Sequence, residues 1–185
     1  MKTIFETCTP RPEVLKGELK DEVFRASLVD VHLNRAEAVY QDASVFFENT
    51  YRTDGLRTLL RETFGRLTGA KPGNSSVIRL ETSFGGGKTH NLIALYHVAK
   101  GAVPQASVSD LISPEYLPKK EVSVVPLVGS DLDPANGLHH GDVTTYTLWG
   151  EMAWLLGGKT AYRKIEANDR ERMRPGETTI KELLG

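Results

Sequence analysis

The chain has 185 residues, 39% of them hydrophobic and 25% charged, with a formal net charge of −1. That length holds one domain with a real core or two small ones, and the near-neutral balance excludes a global attraction to nucleic acid or to an anionic membrane. Cys8 is the single cysteine, which excludes an intrachain disulfide and a cysteine-built metal cage and suits a reducing cytoplasm.

Residues 12–69 carry a mainly helical pattern. Pro12 and Glu13 can open a short helix, since proline at the first helical position gives up no needed hydrogen bond. The stretch 23–33, with Val23, Phe24, Leu28, Val29, Val31 and Leu33, is ambiguous and partly fits both helical and alternating templates. Asp42 can cap a helix through Phe46 and Phe47. The clearest element runs from Thr53 to Leu67, where Leu56, Leu59, Leu60, Phe64 and Leu67 make one apolar stripe and Gly69 supplies the stop. The row Arg57, Arg61 and Arg66 reads as its solvated face.

Residues 70–76 form a turn-rich linker between a helical region, 1–69, and a second region, 77–185. Val77-Ile78-Arg79-Leu80 predicts a buried strand, and a helix follows from about Lys88 to Lys100. After an irregular stretch holding Pro104, Pro114 and Pro118, the apolar run 122–128 predicts a second strand, although Pro126 points to an edge. Thr145 to Leu156 predicts another helix, ended by Gly157-Gly158, and the charged remainder breaks at Pro175-Gly176. Arg163, Lys164, Arg170, Arg172 and Arg174 interleave with Glu166, Asp169 and Glu171, as on a solvated helix. The order strand, loop, helix, connection, strand, helix predicts an α/β fold: a partial P-loop NTPase with a parallel sheet behind a helical N-terminal region. No apolar run reaches the ~20 residues of a membrane span, and no signal peptide is recognisable, so a cytoplasmic protein without membrane contact is expected.

The chemistry sits in Thr82-Ser83-Phe84-Gly85-Gly86-Gly87-Lys88-Thr89-His90. A phosphate chain can be held by backbone amides where the backbone approaches closely, and glycine permits that approach. Successive amides make an anion nest, and the start of a helix adds its partial positive end. Ser83, Phe84, Gly85, Gly86, Gly87, Lys88 and Thr89 are therefore candidate ATP ligands, with Lys88 on the β- and γ-phosphates and the Thr89 hydroxyl on Mg. His90 either lies near the phosphates or packs the helix. The usual pattern has glycine where this chain has Thr82, so the loop is a variant form. Asp131 is a second candidate for the Mg ion, because Ser130, Asp131 and Asp133 follow the second strand. In the alternative reading, Asp131 and Asp133 cap a turn before Pro134. His139, His140 and Asp142 do not make a metal site by spacing, because adjacent histidines rarely point the same way.

The segment from Ser83 to His90, with Leu95-Tyr96-His97, resembles the prokaryotic ATP-binding proteins of domain-of-unknown-function family 499 (DUF499). Tyr40, Asp42, Phe46, Phe47, Thr50, Tyr51 and Thr53 upstream, and Thr147-Leu148-Trp149-Gly150-Glu151 downstream, are similar to it as well. The resemblance implies a large AAA+-like P-loop ATPase, often encoded near restriction-modification or phage-defence genes, with residues 85–89 as its nucleotide loop. An apolar strand ending in Asp-Glu, needed to hold Mg and orient the attacking water, is missing after Thr89. The expectation is thus an N-terminal fragment that binds Mg-ATP, with weak stability and little turnover. Two further readings stay open: a small nucleotide-dependent phosphotransferase with residues 163–174 as its lid, and a non-catalytic, nucleotide-switched interaction module. Partners are a nucleotide and, beyond it, protein partners or copies of the chain; charge gives no indication of nucleic acid.

Overall fold

Polar caps set the helix starts. In a computed structural model, which describes residues 3–10, 12–17, 25–83, 85–120 and 122–184, four helices begin with a side-chain oxygen that accepts the amide three residues on. Ser27 caps α3 (Leu28–His32), Asp42 caps α5 (Ala43–Glu48), Thr53 caps α6 (Asp54–Leu67) and Thr147 caps α9 (Leu148–Tyr162). The capping distances run from 3.0 to 3.2 Å. Each satisfies one first-turn donor that has no partner inside its helix. The other helices are α1 (Ile4–Thr7), α2 (Pro12–Lys16), α4 (Ala38–Gln41), α7 (Lys88–Ala99), α8 (Gln105–Val108), α10 (Glu166–Arg170) and α11 (Glu177–Leu184).

The main core joins residues from both sides of the 70–76 linker. Val31 of α3, Phe46 and Phe47 of α5, Leu56, Leu60 and Phe64 of α6, and Ile93, Ala94 and Val98 of α7 are buried together with Val108, Leu111 and Ile112. The stripe expected on α6 is buried at Leu56, Leu59, Leu60 and Phe64, while Leu67 at its end is 56% exposed. Arg66 leaves the solvated row to donate to the carbonyls of Pro72 and Asn74, folding the linker back onto α6. A second, smaller core forms from Ala153 and Ala161 of α9, Ile165 and Leu183 of α11. Gly157 and Gly158 leave helical geometry, as expected, and divide α9 into two pieces at a kink, Gly158 at a φ of 58° that favours glycine.

The expected α/β fold with a parallel sheet is not what the chain forms. The structure is mostly helical, and its only sheet among the described residues is a two-stranded antiparallel hairpin, β1 (Leu138–His140) with β2 (Val143–Thr145). Residues 77–80 and 122–128 take no strand assignment. Val77 is 77% exposed and Ile78 40%, so the first run lies on the surface, not within a sheet. Val122 and Val124 pack against the main core, with Ser123 exposed between them. An apolar run states a wish for burial; a strand additionally needs a neighbouring backbone about 4.8 Å away to complete its hydrogen bonds. Here the hydrophobic demand of 122–124 is met by side-chain packing against helices.

Two outcomes follow from this core. Phe64→Ala removes a side chain that is 1% exposed and should cost about 3–5 kcal/mol in urea unfolding. His97, buried, donates its Nε2–H to the Tyr40 carbonyl at 2.8 Å. Burial holds its pKa below the ordinary 6.5, against smaller opposing effects of the Tyr40 bond and Asp42. Burial acts in the same direction on His32 and His90. The fold therefore prefers neutral imidazoles: their contribution is complete above pH 6.5 and is lost as pH falls below it towards the folded values. The urea midpoint should hold steady from pH 8 to 7 and drop between about pH 6.5 and 5, with a smaller drop in His97→Gln.

Candidate functional site

The glycine loop joins an extended segment to α7, and its shape is set by two left-handed residues. Gly85 has φ 78° and Gly87, the N-cap of α7, has φ 74°. Gly87 brings no side chain to the first-turn amides of α7, so those donors keep no cap of the kind that opens α3, α5, α6 and α9. Gly86 donates its amide to the Ser83 carbonyl at 3.1 Å, tightening the turn. A Cβ on Gly86 would collide with the Thr82 side chain. The residue that breaks the usual motif is thus accommodated by the glycine four positions later, and Thr82 is itself a working part. Its carbonyl and its hydroxyl each accept from Lys88 Nζ at 3.1 Å, and the Ser83 carbonyl does so at 3.3 Å. The Lys88 ammonium therefore spans the base of the loop.

Ser83, Gly85, Gly86, Gly87, Lys88 and Thr89 are all exposed; Phe84 lies outside the described residues. Thr89 stands on the first turn of α7 with its side chain open to solvent. His90 turns the other way. Its ring stacks on Phe46 with centroids 4.4 Å apart, and its Nε2 lies 2.9 Å from the Thr50 hydroxyl, which donates onward to the Phe46 carbonyl at 2.6 Å. Burial, which pushes its pKa down, keeps the ring neutral at pH 7. His90 packs the base of the loop helix against α5.

Asp131 is placed elsewhere. It lines a cavity of about 460 Å³ whose wall includes His32, His140, Glu151 and Trp154 but not Thr89. Asp133 behaves as the turn cap that the sequence offered as an alternative: Oδ1 accepts the amides of Ala135 (2.8 Å) and Asn136 (3.1 Å). The Asn136 side chain, then those amides, hold its carboxyl below the usual range. His139 and His140 sit on β1 with different partners, Thr144 and Glu151, as alternation along a strand requires. No group of three potential metal ligands occurs among the described residues.

Two acidic residues escaped the sequence reading. Glu151, 9% exposed, accepts the Thr145 hydroxyl (2.6 Å) and His140 Nε2 (2.7 Å) on one oxygen, Oε2. Asp169, fully buried, accepts the amides of Tyr146 and Thr147, the Thr147 hydroxyl and the Tyr162 hydroxyl at 2.6–3.0 Å. Four donors and the α9 N-terminus offset the burial of that charge, and burial together with Asp169 pushes the Tyr162 phenol upward. The signal for Glu151 was a lone acid on an otherwise apolar helix. For Asp169 there was none, because its charged neighbours made the segment read as solvated.

A mostly helical protein with a glycine-rich loop at the head of a helix is the class these features define. The model of the DUF499 N-terminal domain matches residues 5–185. The chain belongs to the DUF499 family. No curated protein and no solved structure matches it. Among the described residues no helix is long and apolar enough to cross a membrane.

The anchoring of the loop helix is directly measurable. His90→Ala removes the Phe46 stack and the Thr50 partner, and should lower the unfolding free energy by about 1–3 kcal/mol. An unchanged urea midpoint would show that His90 does not hold α7.

Proposed function

We propose that residues 83–89 bind the triphosphate of Mg-ATP, making this chain the ATP-binding element of an ATPase. The observation that supports this reading above all is Lys88. Its ammonium is drawn across the loop base by Thr82 and Ser83, beside two glycines with positive φ and the uncapped first turn of a 12-residue helix. Loop amides, helix dipole and ammonium add at one place, and all three favour phosphate oxygen. In this reading the β- and γ-phosphates take over the Lys88 hydrogen bonds now made to loop oxygens. The Thr89 hydroxyl meets the Mg ion. Nucleotide is the partner that the exposed loop can reach without any rearrangement of the core.

Calorimetric titration with a non-hydrolysable ATP analogue and Mg should give saturable binding. Lys88→Ala removes a charge-assisted contact worth about 1.5–3 kcal/mol and should weaken affinity roughly ten- to hundredfold. Thr89→Ala should abolish the gain in affinity that Mg brings. Equal affinity of Lys88→Ala and the parent chain sinks the reading.

A further inference from the structure

The cavity that holds Asp131 has a composition the glycine loop does not explain. Its volume of about 460 Å³ lies within the range of small-molecule sites, roughly 300–1,000 Å³. The wall is largely apolar, with Val29, Leu127, Leu138, Leu148 and Leu155 contributing. Into it come His140, stacked on Trp154 with centroids 4.8 Å apart and planes at 21°, and the Glu151 carboxylate. Glu151 is fixed from behind, because the Thr145 hydroxyl and His140 both donate to Oε2. Neither donor uses Oε1, which retains its acceptor capacity.

The charge balance of the wall decides the ligand. Glu151 and Asp131 are acidic. Arg35, the one Arg or Lys of the wall, is 64% exposed and paired with Asp30 at 3.8 Å, while His140 pairs with Glu151 at 2.7 Å. Burial, then Lys100, hold the His32 imidazole below its ordinary pKa against a smaller opposing effect of Glu151, and its Nδ1 lies 3.4 Å from the Tyr96 hydroxyl. The cavity thus joins an apolar, partly aromatic body to a pre-oriented carboxylate whose one close basic neighbour, His140, sits on Oε2. An anionic ligand would meet two carboxylates, and a neutral apolar one would give the Glu151 carboxylate no donor. From this charge complementarity we propose that the cavity binds a small organic cation, an amidinium or ammonium on an aromatic or apolar body, with Glu151 as its counter-ion and Trp154 as its flat wall. The indole face adds a cation–π contribution. This site is separate from the loop at 83–89, so each stands or falls alone.

The test is a titration of the 15N-labelled chain with benzamidine, followed through the indole N–H of Trp154. Neutral benzamide and anionic benzoate serve as controls of the same shape. Saturable movement with benzamidine, and little with either control, is expected. Glu151→Gln, with its fold checked by the same spectrum, should bind benzamidine at least tenfold more weakly. Leu127→Lys, at a wall residue that is 37% exposed, puts an ammonium into the cavity and should have the same effect; it decides the matter if Glu151→Gln does not fold. The proposal is overturned if benzamidine causes no shift, or if benzamide binds as well. Undiminished affinity in a folded Glu151→Gln, or in Leu127→Lys where that variant must decide, overturns it equally.

Discussion

Phe46 is the contact on which the rest of the main unit depends. It is 1% exposed and touches Tyr40, Phe47, His90 and His97, whose ring centroids lie 4.4–6.4 Å away. His90 and His97 are seven residues apart, two turns of α7, and so share one face of that helix. A single phenyl ring on α5 thereby fixes both the rotation and the height of α7. The glycine loop is the N-terminal continuation of α7, so its position follows from the same contact. Hydrogen bonds from the half-buried His90 to Thr50 and from the buried His97 to Tyr40 complete the arrangement by giving each imidazole a polar partner.

That arrangement divides labour along four consecutive residues. Gly87 supplies a left-handed turn, Lys88 a cation, Thr89 an exposed hydroxyl and His90 the anchor. On a helix such a change of direction within one turn is natural, since successive side chains are about 100° apart. This division leaves the polar groups of the loop free of the core while the backbone that carries them is held by it.

The sequence was informative where a residue acts on near neighbours. Asp42 as a cap, the stripe of Leu56, Leu59, Leu60 and Phe64, and the start of α7 at Lys88 directly after the glycine loop all express contacts within a few residues, and all read correctly. It misled where the partner is remote. The runs at 77–80 and 122–128 have strand-like composition, yet a ladder requires a second backbone that composition does not name. Glu151 and Asp169 show the same limit from the polar side: their donors come from Thr145, His140, Tyr146, Thr147 and Tyr162, on the hairpin, at the head of α9 and at its far end. The role of Thr82 was hidden for a different reason. Judged as a missing glycine it is a defect, but Gly86 leaves room for its side chain and Lys88 uses its oxygens.

The second half of the chain is organised around buried charge, in contrast to the aromatic first half. Asp169 ties α10 to the start of α9, and Gly150 must be glycine there because a Cβ would collide with the Asp169 carboxylate. At the next residue, Glu151 ties α9 to both strands of the hairpin, through His140 of β1 and Thr145 of β2. Two adjacent residues, Gly150 and Glu151, thus set how α9 meets α10 and the hairpin. A buried carboxylate costs more than the packing it replaces unless its hydrogen bonds are well met, so it is weak evidence for stability alone. Asp169, with four donors, meets that condition and works as a structural clamp. Glu151, with both donors on one oxygen, leaves half of its acceptor capacity for something else. This difference in hydrogen bonding, not burial or charge, distinguishes the acid that serves the fold from the acid available to a ligand.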